Sequence, residues 1–334
     1  NTNLDWIAAG PFNVGGRTRA LAIDVLDENI LLAGGASGGM WRSTNFGQSW
    51  NKTTKSLQLH NVTCLKQDIR QGKENVWYHG TGELTGSSAS GTDAYFDGNG
   101  IYKSTDGGLS WDSVPGILLL TNGDTIFTSD NNSAAGAFNE FDFIWNIALD
   151  PTNNEQDEIY AATYGSIHQS LDGGLSWVRR LGGGTAYYNN VEVTSSGVVY
   201  ATLSSDGTDK GIWRSTDGIS FVNILPDNFP QVYGRTAIGI NPSDENEIYF
   251  LSSETEGEGQ FTNTFFEGQT WTSLWKYNYL CDDGANECGN WQNLSENIPA
   301  NQATTFDNFN SQGGYDLLVK VKPLSLIHIS EPTR

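Results

Sequence analysis

The chain has 334 residues, with 39 Asp and Glu against 18 Lys and Arg, for a formal net charge of −21. Such an acid surplus excludes a binder of the nucleic-acid backbone, which needs clustered Lys and Arg, and argues against an anionic membrane surface. No apolar run reaches the roughly 18 residues of a spanning helix. With 37% apolar residues and 11 Trp, 13 Tyr and 15 Phe, the chain can bury a large core, and 39 Gly beside them predict short strands joined by tight turns.

In chain order, the sequence starts at Asn1 with no charged-then-apolar leader, and the expectation is a processed end or a cut from a longer chain. Asp5-Trp6-Ile7 reads as a fourth strand closing onto a last repeat. Arg19–Asp24 and Asn29–Gly34 then predict a strand pair. Met40–Trp50 adds a third strand ending in a turn, with Ser43, Asn45, Gly47 and Trp50 at fixed offsets. The same turn recurs as Ser104, Asp106, Gly108 and Trp111, and as Ser170, Asp172, Gly174 and Trp177. A shorter copy has Ser215, Asp217 and Phe221. Strand pairs precede each copy: Val62–Asp68 with Val76–Gly80, Asn146–Asp150 with Glu158–Ala162, and Val191–Thr194 with Val198–Ala201.

The shared pattern, Ser-x-Asp/Asn-x-Gly-x-Ser-Trp, is hairpin chemistry. Ser and Asp side chains bond turn backbone, Gly takes the positive φ, and the aromatic starts the next strand. Each unit is thus strand, turn, strand, loop, strand, turn, strand, a four-stranded antiparallel blade. A period of roughly 45 residues fits a β-propeller better than a sandwich. The blades run roughly over 15–56, 60–115, 143–181, 188–224 and 234–295, with the start of another at 314–323. In the fifth unit, Ser273–Tyr277 is the third strand and Trp291 the closing aromatic, and Cys281 and Cys288 bracket a short acidic turn. In an oxidising compartment they would form a disulfide worth roughly 2–3 kcal/mol. A metal site there lacks a second Cys/His pair. Cys64 reads as a small buried residue. Leu324–Arg334 breaks the pattern and matches the translation of a transposase sequencing adapter, so the expectation is a non-native tail on a native stretch of about 323 residues.

The repeated turn resembles the Asp box, or bacterial neuraminidase repeat. With Gly10–Arg19 leading into the first blade and Gly80-Thr81-Gly82-Glu83 opening a long loop, residues 5–323 resemble the large sortilin-like propellers of secreted bacterial proteins, often loosely labelled glycosyl hydrolases. The resemblance implies an extracellular or cell-surface propeller of about ten blades. This chain would be an arc of it, with the remaining blades as its neighbours.

Asp106, Asp172 and Asp217 are explained by the turns they close, and His168 by the third-strand aromatic position it shares with Trp41, Tyr102 and Trp213. His60 and His79 have no Ser, Cys or metal partner in the sequence. The opposite face carries the long loops Glu83–Gly100, Gly116–Phe143, Ser204–Lys210 and Ser253–Gly259, converging on the channel. They hold Glu83, Asp93, Asp97, Asp124, Asp130, Glu140, Asp142, Asp206, Asp209, Glu254, Glu256 and Glu258, interleaved with Tyr95, Phe96, Phe127, Phe138, Phe141 and Phe143. Such loops suit glycan stacking, cationic peptide binding or Ca²⁺; a solvated acidic surface is the bland alternative. Arg17 and Arg235 both occupy Gly-Arg-Thr at the start of an inner strand, where other units have Asn61 and Asn190. A sialidase needs a third arginine, and the catalytic signatures of xyloglucanase propellers are not recognisable. The expected function is therefore a non-catalytic propeller binding a peptide, protein or glycan through Arg17, Arg235, Glu83, Asp93, Tyr95 and Asp97. The alternative is a glycoside hydrolase whose two carboxyls are Glu83 and Asp97. No cofactor is required.

Overall fold

The structure is a computed structural model. It describes residues 17–84, 96–121, 123–129, 139–183, 186–264, 268–298, 311, 314–315 and 317–323, with backbone only at 261–264 and 268–270. Asp93, Tyr95, Asp130, Phe138, the Gly10–Gly16 entry, Asp5-Trp6-Ile7 and the Leu324–Arg334 tail lie outside those residues.

The chain folds into consecutive antiparallel blades. The first holds β1 (Thr18–Ile23), β2 (Leu31–Gly35), β3 (Gly39–Ser43) and β4 (Asn51–Lys52), hydrogen-bonded in that order. The second repeats it with β5 (Val62–Gln67), β6 (Trp77–Thr81), β7 (Ile101–Ser104) and β8 (Asp112–Ser113). A hairpin follows, β9 (Ile117–Leu119) and β10 (Thr125–Phe127). The third blade is β11 (Ile144–Leu149), β12 (Ile159–Thr163), β13 (Ser166–Ser170) and β14 (Ser176–Gly182). The fourth is β15 (Asn189–Val193), β16 (Val199–Leu203), β17 (Gly211–Ser215) and β18 (Val222–Asn223). The fifth holds β19 (Thr236–Ile240), β20 (Glu247–Ser253), β21 (Gln260–Thr264), the long β22 (Gly268–Tyr279) and β23 (Gly289–Asn293). There β22 pairs on one side with β20 and β21 and on the other with β23.

Burial explains the residue choice. The middle strands β6, β12, β13 and β16 are buried at every position, because each is sandwiched between neighbouring blades. They are accordingly rich in Tyr, Ile, Ala, Thr and Val, with no polar-out alternation. Apolar clusters sit between successive blades. Ala20, Leu32 and Met40 meet Val62, Trp77 and Trp111 between the first two. Tyr78 and Ile101 meet Ile147, Ile159 and Trp177 across the next boundary. Trp145, Tyr160 and Ile167 meet Val191, Val199 and Leu203, and Tyr200 and Ile212 meet Phe250, Trp275 and Tyr277. Leu317 packs on Ala237, Leu251 and Ile298 of the fifth blade. The inner strands β1, β5, β11, β15 and β19 lie side by side along a central channel. This is a β-propeller.

The repeated turns hold the far ends of the blades. Ser104 Oγ accepts the Gly108 amide at 2.9 Å and donates to Asp106 Oδ1 at 2.7 Å; that oxygen also accepts the Leu109 and Ser110 amides at 3.0 Å. Ser170/Asp172 and Ser215/Asp217 repeat the network, and Asn45 does the same from an amide oxygen. Gly47, Gly108, Gly174 and Gly218 take φ of +78°, +81°, +97° and +68°, a region side chains avoid. Trp50 and Trp177 donate their indole N–H to the turn carbonyls of Gly47 and Gly174, whereas Trp111 reaches across to Thr53 Oγ1 of the first blade. In the fifth blade Cys281 and Cys288 are disulfide-bonded at the corresponding turn, and Trp291 packs on Tyr277 at 4.9 Å between ring centroids.

One expectation is corrected. The stretch Gly116–Phe143 does not all line the channel. β9 joins the outer strand β14 in parallel, Ser176 to Ile117 through Val178 to Leu119, so the β9–β10 hairpin extends the blade at its outer edge. Fully buried Leu118 anchors it in the core between the second and third blades. Phe141 and Phe143 are likewise core residues, each at most 1% exposed.

Candidate functional site

The residues that open the inner strands meet at one mouth of the channel. Thr18 opposite Gly35 fixes the register of β1, so Arg17 lies at its entry and Arg19 two residues on. The register of β1 shifts between Thr18 and Ala20, so Arg19 sits at a bulge there. Glu83 follows β6 and bridges Phe96, which places it beside β1. Its side chain is fully buried, and its charge is met by Arg17, with Nη2 to Oε2 at 2.9 Å and Nη1 to Oε1 at 3.3 Å. Tyr315 Oη donates to Glu83 Oε1 at 2.6 Å, and Arg19 Nε stands 4.0 Å from the same oxygen. Burial, and then the bond to Glu83, push the Tyr315 phenol up to about 12. Arg17 also donates to Tyr315 Oη at 2.9 Å.

Arg235 belongs to the same cluster. Its Nη1 donates to the carbonyls of Gly314 and Tyr315 at 3.1 Å each, and its guanidinium lies over Trp145 at 5.8 Å. Arg19 Nη1 donates to the same Tyr315 carbonyl at 3.1 Å. The mouth thus gathers three arginines: Arg17 and Arg235 from the sequence pattern, and Arg19 beside them. The alternation Arg17-Thr18-Arg19 was the available signal for the third. Tyr315 had none, because its place depends on the chain returning to β1 after about 300 residues.

Aromatic rings continue this rim. Trp145 packs on Tyr188 at 5.1 Å and donates its indole N–H to the Tyr187 carbonyl at 2.7 Å. Tyr187 meets Tyr164 edge-on at 5.5 Å and is 45% exposed. The aromatic faces expected in the 83–100 loop are represented among the described residues by Phe96, 40% exposed. Asp97 is exposed, and its backbone carbonyl accepts a bond from Asn61 Nδ2 at 2.8 Å.

The other loop acids divide by environment. Glu140 opens the short turn before β11, which Asn139 caps, and meets His168 Nε2 at 3.0 Å and the Arg179 guanidinium. Burial raises its carboxyl, but the bonds from His168 and Ser166 and the charge of Arg179 outweigh it and hold it down at about 2; burial lowers the His168 imidazole itself. His168 also contacts Thr163 Oγ1 through Nδ1 at 3.3 Å. That Thr–His–Glu chain has the order of a nucleophile, base and orienting acid. However, Thr163 and His168 are wholly inaccessible, so a substrate has no approach. Asp142 bonds the Asn139 amide at 2.8 Å and is buried. Asp206 accepts from Ser204 Oγ and the Tyr187 amide, Asp209 from the Gly182 amide, while Glu256 and Glu258 are exposed. His60 is half-buried, with its Nδ1 3.2 Å from Lys52 Nζ; His79 is buried, stacked on Tyr102 at 4.9 Å. Among the described residues the one close group of metal-binding side chains is Cys281, Asp282 and Cys288, and its two sulfurs are bonded to each other.

No family model matches the chain. A stretch of 125 residues is 34% identical to a xyloglucanase of a Paenibacillus species, covering 32% of this chain and 12% of that protein. A stretch of 152 residues is 30% identical to the xyloglucanase Xgh74A of Acetivibrio thermocellus, covering 36% of this chain and 18% of that protein. The chain therefore matches less than a fifth of these curated relatives. Among solved structures, Kuenenia stuttgartiensis hydrazine synthase is similar with a TM-score of 0.52 at 10% identity, over 87% of this chain and 70% of that one. At that identity the likeness is one of fold.

Proposed function

We propose that the chain is part of an extracellular glycoside hydrolase of the propeller kind, with a β-glucan of the xyloglucan class as its substrate. In this reading its repeat turns are Asp boxes, of the kind found in sortilin-like secreted propellers. The observation that carries this reading is the 34% identity over 125 residues to a xyloglucanase. The rim supports it: exposed Tyr187, with half-buried Tyr164 and Tyr188 beside it, offers ring surface of the kind that stacks on sugars, beside the polar groups that orient them.

In this reading Glu83 positions the rim rather than transferring a proton. A general acid must gain and lose its proton during turnover. The two oxygens of Glu83 are committed to Arg17 and Tyr315 and its side chain is fully buried, so neither oxygen faces a place a scissile bond could occupy. Asp97, exposed on the loop after Phe96, is the better placed of the two sequence candidates for such a role.

The test is incubation of the protein with xyloglucan, unsubstituted β-glucan and a mannan, followed by assay of new reducing ends. Release from xyloglucan above the other two supports the reading. Binding without release overturns it in favour of a non-catalytic glycan, peptide or protein binder. That second reading is favoured by the immobilised state of Glu83.

A further inference from the structure

The turn that closes the fifth blade is built unlike the other four. Those use Ser with Asp or Asn side chains to hold their amides. This one carries Cys281 and Cys288, joined to each other, with the carboxylates of Asp282, Asp283 and Glu287 between them. Its backbone does not depend on the sulfur link alone. The Leu280 amide donates to the Cys288 carbonyl at 2.9 Å, the Gly284 amide to the Cys281 carbonyl at 3.0 Å and the Cys288 amide to the Ala285 carbonyl at 2.9 Å. Side chains brace the turn from outside. Tyr277 Oη donates to the Gly284 carbonyl at 2.7 Å and Tyr279 Oη to the Asp282 carbonyl at 3.2 Å. Arg214 of the fourth blade reaches the Asp283 carbonyl at 3.3 Å, with its guanidinium over the Tyr279 ring at 4.1 Å. Reduction of the disulfide therefore leaves two thiols side by side, on Cα atoms 4.7 Å apart in a turn held by other bonds.

A third donor stands beside them. Asp282 takes φ of +45°, a left-handed conformation that Asp adopts more readily than most side chains. Its Oδ2 lies 3.6 Å from Cys288 Sγ, and one donor atom each from Cys281, Asp282 and Cys288 fall within 4.8 Å of one another. A tetrahedral Zn²⁺, with bonds of about 2.3 Å to sulfur and 2.1 Å to oxygen, sets its donor atoms roughly 3.6–3.8 Å apart. The carboxylate and Cys288 already have that spacing. Cys281 and Asp282 are exposed and Cys288 is half-buried, so an ion with a bound water can reach all three. The neighbouring Asp283 and Glu287 add a negative field that draws cations. Two thiolates select a borderline or soft ion over Ca²⁺ and Mg²⁺, which take oxygen donors.

We propose that the reduced form of this turn is a Zn²⁺ site, with Cys281 and Cys288 as thiolate ligands, Asp282 as the third ligand and a water as the fourth. The turn then has two alternative staples, a covalent one when oxidised and a metal ion when reduced. A phosphine reductant supplies the electron pair that breaks the S–S bond. Water supplies a proton to each sulfur, and its oxygen leaves on the phosphine oxide. Each thiol releases its proton to solvent as the sulfur binds the ion. Neither step involves a glycan, so the site stands apart from the hydrolase reading.

The test is titration of phosphine-reduced, desalted protein with Co²⁺ and with Zn²⁺ in the absence of oxygen, beside the oxidised protein. Co²⁺ reports thiolate ligation through its sulfur-to-metal absorption, and calorimetry reads Zn²⁺. The expected result is one equivalent of Zn²⁺ bound by the reduced protein, at least tenfold more tightly than by the oxidised protein. The thiolate absorption is lost in Cys288→Ser. It persists in Asp282→Asn, where Zn²⁺ binds at least tenfold more weakly. Both variants lie on an accessible turn away from the core, so both fold. Cys64 stays silent: it is 6% exposed, and burial pushes its thiol up to about 11. Zn²⁺ also raises the Tm of the reduced protein and leaves that of the oxidised protein unchanged. Equal binding by the two redox forms, a full equivalent retained in Cys288→Ser, or unchanged affinity in Asp282→Asn overturns the proposal.

Discussion

Glu83→Gln is the most informative single change at the rim. The carboxylate is fully buried, bidentate to Arg17 at 2.9 and 3.3 Å, bonded by Tyr315 Oη at 2.6 Å, and the nearest counter-charge to Arg19. Glutamine keeps the volume and one acceptor but removes the charge. Breaking a buried pair costs about 3–5 kcal/mol when a charge is left stranded. Arg17 is 35% exposed and regains water, so the low end applies, about 3 kcal/mol. With about 2.1 cal/mol/K of unfolding entropy per residue over 334 residues, that corresponds to a fall in Tm of about 4 °C. The assay is thermal and urea unfolding of wild type, Glu83→Gln, Tyr315→Phe and the double variant. Because the two residues share a bond, the double variant loses less than the sum, with a coupling of about 1 kcal/mol or more. An unchanged Tm for Glu83→Gln, or strictly additive losses, refutes the description of Glu83 as the anchor of the rim.

The other predictions concern the blades. Burial lowers the His79 imidazole to about 4. Between pH 6.5 and 4 the unfolded chain binds a proton that the native site refuses, so stability falls as pH drops through that window, by up to about 1.4 kcal/mol per unit. His79→Phe, which keeps the stack on Tyr102, flattens that slope in urea titrations run from pH 7 to 4. Asp172→Ala strips the Ser176 amide and hydroxyl and the Ser170 hydroxyl of their acceptor and costs about 1–2 kcal/mol in chemical unfolding. Asp172→Asn costs less, since Asn45 fills the same position in the first blade. Arg70→Met leaves Asp68 and Asp157 without the guanidinium that joins them across the second and third blades, and lowers stability by about 3 kcal/mol; equal stability would show the node to be a surface feature.

The sequence carried the blades because their turns must solve one local problem. Ser, Asp or Asn, and Gly at fixed offsets have to satisfy a hairpin's amides, and that chemistry is readable wherever it recurs. The β9–β10 hairpin was not readable, because its place is set by one buried leucine, Leu118, and by a vacant edge on β14, neither of which marks the local sequence. At the site, Arg17 and Arg235 stood out through the shared Gly-Arg-Thr. Arg19 became visible as a partner only once Tyr315 was seen to return to β1. The acid count misled in part. Glu83, Glu140 and Asp142 look like solvated loop carboxylates in the sequence, but burial and ion pairing make them fixed structural charges. Which loops meet in space decides this, and one-dimensional spacing does not encode it.

The central claim is a glycan-cleaving propeller in which Glu83 positions the rim and other carboxylates do the chemistry. The direct measurement is reducing-end release from xyloglucan by wild type and Glu83→Gln, at a temperature well below both unfolding midpoints. The account predicts release by wild type and retention of most of that rate by Glu83→Gln. No release by wild type, or a loss of several hundredfold in a folded Glu83→Gln, would contradict it.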